Sequence, residues 1–177
     1  PPAPDIVKES AATSILAVTT ARHGINSPDN SEMAPLAPDD FSIALDSGGN
    51  MLVTGSSAAF NWTRRETGAV YELICTSERV LPDANRSIYE HDALFTSFIN
   101  EFDGIDGLLD GKVILNPGAS RLPEGLSYDA ATGLCLFSIN SWLFPNRLYY
   151  FSLKAVNPAN GRESLWISIP VTTSLIE

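Results

Sequence analysis

Short segments in which hydrophobic and polar residues alternate fill much of the chain after residue 40. In the clearest of them, Tyr149, Phe151, Leu153 and Ala155 fall on one face of an extended segment. A period of two is the pattern of a β-strand with one buried face. The alternation predicts strands over 41–45, 58–63, 69–76, 132–140, 148–157 and 165–173.

The stretch between residues 77 and 122 breaks this pattern. Asp92 is a suitable N-cap, and Asp103 with Gly104 is a suitable stop, so we predict a helix over 92–102. Its apolar positions form one stripe: Leu94, Phe95, Phe98, Ile99 and Phe102. A short strand over 112–115 is expected to follow. We therefore interpret 77–122 as an insertion between strands.

The first 38 residues differ from the rest. Proline recurs at positions 1, 2, 4, 28, 35 and 38, and polar turn residues fill 26–32. One apolar, β-prone segment interrupts them at 14–20. We predict an N-terminal arm and linker over 1–38, with one strand, followed by a β-domain over 39–177.

Composition narrows the classes of function. The chain has 177 residues and a net charge of −10, which disfavours contact with nucleic acid phosphates. No apolar run reaches the ~18 residues of a membrane helix, so we expect no membrane insertion. Two Cys and two His form no recognisable ligand pattern, and no nucleophile elbow, zinc-protease motif or phosphate loop occurs. We predict no enzyme, no catalytic residues, no metal and no cofactor.

One motif near the C-terminus carries a resemblance: Leu143-x-Pro145-x-x-x-Tyr149-x-Phe151-x-Leu153-x-Ala155. It resembles the end of a fibronectin type III domain, where a Leu-x-Pro turn leads into the strand of the tyrosine corner. The resemblance implies that Tyr149 is the corner residue, that Trp62 is the core Trp, and that Tyr71 lies on the next strand. Arg147 departs from the family, which has Thr two residues before the corner. The implied fold is all-β: an Ig-like, fibronectin type III-like two-sheet sandwich with a short helical insertion and an N-terminal arm.

A second motif overlaps the first: Gly125-Leu126-x-x-Asp129-x-x-Thr132-Gly133. It resembles a turn of bacterial Ig-like and cadherin-like surface repeats, in which Asp bonds to its downstream backbone and Gly supplies a positive φ. Both resemblances imply a secreted or cell-surface location.

Cys75 and Cys135 both fall on predicted inward-facing positions. They form either an intersheet disulfide or two buried free thiols. The aromatic residues Trp142, Tyr150 and Trp166 are either partly exposed, and then able to stack on sugar rings, or cover the edges of the core.

Three further segments have local signals. The run 103–111 has the Asp and Gly content of a calcium loop, but its Asp spacing of three and four lacks a closing Glu, which favours a turn-rich connection. Asn61-Trp62-Thr63 and Asn85-Arg86-Ser87 match glycan acceptor sequences. In the arm, Ile15, Leu16 and Val18 echo the last predicted strand. They are a remnant of a preceding repeat, a strand for their own sheet, or a strand donated to a neighbouring subunit.

The leading expectation is a non-catalytic structural or adhesive module of a bacterial surface or secreted protein. Its partners would be other protein domains or copies of itself, with self-assembly into a filament through the arm. The alternative is a carbohydrate-binding accessory module of a secreted glycosidase, with a polysaccharide as partner.

Overall fold

The computed structural model describes residues 33–175, in which a compact unit begins at Ala34. The predicted arm strand, with Ile15, Leu16 and Val18, lies outside the described residues. The Pro-rich segment 34–38 is part of the compact unit. Pro35 and Pro38 are buried, and Leu36 N–H donates to Glu66 Oε1 at 3.1 Å.

Eight strands form two antiparallel sheets in the described part of the chain. Their bounds are β1 Ser42–Ile43, β2 Ala58–Thr63, β3 Val70–Thr76, β4 Ile114–Leu115, β5 Leu126–Asp129, β6 Leu134–Ile139, β7 Leu148–Val156 and β8 Ile167–Thr172. The alternating segments identified in the sequence are all represented, with ends that differ by no more than two residues. β5 was not predicted, because only turn residues were recognised around Asp129.

The order of the strands defines the fold. One sheet runs β1-β2-β6-β5 and the other β4-β3-β7-β8. These are the A-B-E-D and C-F-G orders of an immunoglobulin-type sandwich, with β4 as an added edge strand beside the C position. The predicted Ig-like two-sheet sandwich is confirmed.

The inner core lies between the two sheets. Phe60 and Trp62 of β2 face Tyr71 of β3 and Phe151 of β7, and all four are at most 3% exposed. The ring centroids of Phe60 and Phe151 are 4.6 Å apart, and those of Trp62 and Tyr71 are 5.3 Å apart. The inward residues of the alternating pattern therefore make the contact between the sheets.

Residues 77–111, called the outer layer from here on, cross the opposite face of the second sheet. A second hydrophobic cluster joins this layer to β3 and β8: Ile74, Val80, Tyr89, Phe95 and Trp166. Because this cluster covers the residues that alternate with the inward ones, every position of β3 is buried. The predicted insertion is thus a third layer, and it ends earlier than expected, before β4.

The predicted helix is confirmed as α1, Ala93–Phe102, preceded by a 3₁₀ turn at Arg86–Tyr89. Asp92 caps it, accepting from Leu94 N–H at 2.9 Å. The helix contacts β3. Phe98 packs into the inner core and Phe95 into the outer cluster, so α1 bridges the two hydrophobic regions.

Candidate functional site

The start of β7 is tied to the preceding turn by Tyr149. Its buried hydroxyl accepts a hydrogen bond from Phe144 N–H at 2.9 Å. A Tyr hydroxyl bonded to backbone a few residues upstream is the contact of a tyrosine corner. Leu143 is buried beside it, whereas Pro145 is exposed in the turn. The structure thus places these three residues around one turn.

Trp62 and Tyr71 meet in the inner core, as the positions of their strands require. Trp62 is 1% exposed, and its Nε1 has no hydrogen-bond partner among the described residues. Burial, with a smaller effect from the neighbouring Cys135, raises the pKa of Tyr71 well above its usual range. Both rings are structural contacts between the sheets and face no solvent.

Cys75 and Cys135 are free, buried thiols, so the disulfide alternative is wrong. Cys135 lies opposite Trp62 in the first sheet, and Trp62 packs on Tyr71 in the second. Cys75 is four residues beyond Tyr71, roughly 13 Å further along β3. A disulfide requires Cα atoms within about 7 Å of each other. Both thiols face inward as predicted, but at different levels of the sandwich.

Trp166 does not present a ring for stacking on sugars, contrary to one of the two alternatives. It is 2% exposed, and its Nε1–H donates to Ala84 O at 3.0 Å. The Nζ atom of Lys154 lies 4.4 Å from the ring centroid. The outer layer therefore covers the face that an exposed aromatic platform would need.

Trp142 and Tyr150 are half-buried, and each has a partner. Trp142 packs edge-on against Phe98 and Phe102, with ring centroids 5.4 and 5.8 Å apart. The guanidinium of Arg79 lies 5.4 Å from the centroid of Tyr150. The three predicted aromatic residues do not converge on one open surface.

A buried cluster of charges joins the outer layer to the sheet. Glu72 is fully buried; its Oε1 lies 2.9 Å from Arg86 Nε and its Oε2 lies 3.3 Å from Lys154 Nζ. Lys154 also contacts Glu163 at 2.7 Å, and Arg86 donates to Gly111 O at 2.7 Å. The two contacts of Glu72 are charge contacts without hydrogen-bond alignment.

Sequence reasoning missed this cluster, although a signal existed. Glu72 and Lys154 stand within mostly apolar strands, and they are directly opposed in the β3–β7 register. Opposite charges at facing positions of two predicted strands indicate a buried pair when something covers that face. The covering residues, Arg86 among them, lie outside both strands, so the pattern of the strands alone does not indicate them.

The outer layer also covers part of the free edge of β8. Trp166 N–H donates to Pro82 O at 2.8 Å, and Arg79 donates to Ser168 O at 2.8 Å. Pro170, on the same edge, has no N–H to offer. β8 is the longest edge strand among the described residues. The first half of the β8 edge, from Trp166 to Ser168, is therefore closed to a further strand.

The Asp-rich run 103–111 is a series of turns, in agreement with the turn-rich alternative. Asp103 accepts from Gly111 N–H at 3.2 Å, and Asp106 and Asp110 each accept from the amide two residues further on. Across residues 33–175, no three His, Cys, Asp or Glu side chains group as a metal site would. Nor does any described helix have the length and apolar character needed to cross a membrane.

An acidic cleft of about 360 Å³ lies between the end of α1 and the β5–β6 edge. Glu101, Asp103 and Glu124 line it together with Phe102 and Phe137. No basic side chain is found in the last turn of α1. Both the helix end and the carboxylates therefore make this cleft electronegative.

No protein-family model and no curated protein matches the chain. Solved structures to which the chain is similar include Astrotactin-2, a vertebrate-specific, perforin-like membrane protein involved in neuronal development, at 21% identity and a TM-score of 0.43. Another is the Family 28 exopolygalacturonase of Yersinia enterocolitica, at 16% identity and a TM-score of 0.38. Each similarity covers 78% of this chain, which spans only 22% and 20% of those two proteins. At such TM-scores, neither similarity assigns a family or a function to this chain.

Proposed function

We propose that the chain is a non-catalytic structural or adhesive module of a bacterial surface or secreted protein, acting through protein–protein contacts. The observation that carries the proposal is that the backbone enters the sandwich at one end and leaves it at the other. A domain of this kind can stand in line with neighbours in a longer extracellular chain.

Hydrogen bonds to β2 and to the segment before it define the two ends of the sandwich. We call the end where the chain enters proximal and the end where it leaves distal. At the proximal end, the Asp40 carboxylate accepts from Thr63 N–H at 3.0 and 3.2 Å. At the distal end, Ser174 N–H donates to Thr54 O at 3.3 Å. A six-residue strand spans roughly 20 Å. Tension on the chain would thus run along the length of the sandwich.

The distal end also exposes apolar side chains. Phe144 is 63% exposed, Leu148 49% and Leu175 74%. All three flank one backbone contact, in which Asn146 N–H donates to Ser174 O at 3.1 Å, next to the turn that precedes β7. Such a group suits contact with the next domain of a longer chain.

The finer assignment to the fibronectin type III class is part of this proposal. It is supported by the strand order, by the Tyr149–Phe144 corner contact and by the buried Trp62. The outer layer and Arg147 are departures from the family pattern.

Filament formation through the arm is a separate part of the proposal. Because Arg79, Pro82 and Pro170 obstruct the β8 edge, a donated strand would have only the segment near Thr172 to pair with there. Sedimentation velocity of the full chain across a wide concentration range tests this. Assembly that is abolished by Val18→Asp but kept in Thr19→Ser supports donation, and a monomer at every concentration refutes it.

Single-molecule pulling on the full chain, held at both termini, tests the structural role. We expect the sandwich to resist force and then unfold in one step. The step should release roughly 500 Å of chain less the folded length, at about 3.5 Å per residue. Gradual extension without a resolved step would contradict a module that resists mechanical force.

A further inference from the structure

The two glycan acceptor sequences of the chain differ sharply in their structural setting. Both have an Asn followed two residues later by Ser or Thr, which is the pattern that oligosaccharyltransferases modify. Asn61-Trp62-Thr63 lies within β2, and Asn85-Arg86-Ser87 lies in the outer layer. They serve as each other's controls.

Asn61 is held inside the first sheet. It pairs with Ser42 of β1 on one side and with Leu136 of β6 on the other. Its Oδ1 accepts from Ser42 Oγ at 2.8 Å. Trp62, the middle residue of the motif, is 1% exposed in the inner core. Asn61 itself is half-buried, but β2 is paired on both sides, so a transferase could bind this motif only after detaching β2 from the sheet.

Asn85 is exposed at the start of the 3₁₀ turn, and Ser87 is exposed beside it. The intervening Arg86 points inward to Glu72, which leaves the acceptor residues at the surface. Asn85 Oδ1 accepts from Ser87 N–H at 3.0 Å. Among residues 33–175, neither Asn85 Nδ2 nor Ser87 Oγ makes a hydrogen bond. The hydrogen bond that Asn85 Oδ1 accepts polarises the side-chain carboxamide and makes its Nδ2–H more acidic.

We propose that Asn85 is an N-linked glycosylation site, an inference that rests on the extracytoplasmic location in the proposed function. The donor is a lipid-diphosphate-linked oligosaccharide. Asn85 Nδ2 forms a bond to the anomeric carbon, the bond from that carbon to the diphosphate oxygen breaks, and the lipid diphosphate leaves with the electron pair. A base of the transferase takes the amide proton.

The residue two positions before each Asn distinguishes the two acceptor sequences and indicates which class of transferase would modify them. Asp83 stands before Asn85, and Ala59 stands before Asn61. The proposal therefore includes a transferase of the class that requires an acidic residue at this place, because Asp83 supplies one for Asn85 and Ala59 supplies none for Asn61.

The full chain, exported to the periplasm of a bacterium that contains such a transferase and its lipid-linked oligosaccharide, provides the test. Intact-mass measurement and peptide mapping should show one glycan, on the peptide that contains Asn85. Asn85→Gln and Ser87→Ala should reduce occupancy to background, and Asp83→Ala should lower it strongly. Ser87→Thr and Asn61→Gln should remain glycosylated.

Each variant is checked for folding by its thermal midpoint, so that loss of the glycan is not confused with loss of the fold. A glycan on Asn61 overturns the inference. So does a folded, exported and unmodified chain in cells that glycosylate a known acceptor protein. The structural role would be unaffected by either outcome, because pulling experiments test it independently.

Discussion

Glu72→Gln removes the central charge of the buried cluster and leaves Arg86 and Lys154 facing a neutral amide. The Glu72 and Lys154 side chains are 1% and 4% exposed, so solvent cannot replace the lost carboxylate. Removing one partner of a buried ion pair costs about 3–5 kcal/mol. Glu163 still pairs with Lys154, but it is 43% exposed, and such a contact contributes no more than about 1 kcal/mol. We expect a net loss of roughly 3 kcal/mol in the free energy of unfolding.

Replacing the three buried members together should have a very different effect. Glu72→Met, Arg86→Met and Lys154→Met remove the charges and keep the volume, so no buried charge is left unpaired. Such replacements are often neutral or stabilising by about 1–4 kcal/mol. The gain in the free energy of unfolding should be smaller here, because the hydrogen bond from Arg86 to Gly111 O is lost. The free energy of unfolding of the triple variant should therefore be no more than about 1 kcal/mol below that of the parent protein.

Urea unfolding followed by tryptophan fluorescence measures both effects, with Glu163→Gln as the control for an exposed member of the cluster. The single variant should lower the midpoint without changing the m-value, and its thermal midpoint should fall by roughly 10 °C. A loss below about 1 kcal/mol for Glu72→Gln would refute the reasoning. An equal loss in the single and triple variants would also refute it, since the cost would then not come from unpaired charge.

Three other predictions concern single side chains. Tyr149→Phe should cost about 1–3 kcal/mol in urea unfolding, whereas the neighbouring Tyr150→Phe should be neutral; equal effects would contradict the corner contact. Asp92→Ala should cost about 2–3 kcal/mol in urea unfolding, because it removes both the helix cap and the hydrogen bonds that Oδ2 accepts from Ser77, and Asp92→Asn should recover only the cap. Burial raises the pKa of the Cys135 thiol from 9.0 to about 12 and that of Cys75 well above 9.0. A pKa that folding raises contributes stability that is fully present below the pKa of the unfolded state. The free energy of unfolding should therefore fall as the pH rises above 9.0, and it should fall less in Cys135→Ala. Both thiols should react with Ellman's reagent only after unfolding, and an intact disulfide by mass spectrometry would contradict this.

The sandwich could be predicted from the sequence because the local alternation of hydrophobic and polar residues indicates most of its strands. The inward residues of β7 alternate without a break, and Asp92 marks the start of α1 by its own capping bonds. The burial of Trp166 could not be predicted in the same way. Its cover comes from Pro82 and Ala84, more than eighty residues earlier, and nothing in the local pattern of β8 indicates a third layer.

The disulfide alternative failed for a related reason. Alternation fixes which face of a strand a residue occupies, and it placed Cys75 and Cys135 correctly on inner faces. The level of each residue along the sandwich depends on register between strands, which periodicity does not contain. The candidate surfaces share this limit, since the acidic cleft forms only where α1 meets the β5–β6 edge.

The outer layer has a consequence for how the chain is made. Val80 N–H donates to Ser168 Oγ across 88 positions of sequence, and Ala84 O accepts from Trp166 across 82. During synthesis, these residues emerge from the ribosome long before the strand that receives them. At about 5–20 residues per second, the outer layer is present for several seconds before Trp166 is made, so Val80, Tyr89 and Phe95 lack that part of their cluster. Chaperone dependence during export should therefore be greatest in this interval, and a stop after β7 should yield a chain that cannot complete its own surface.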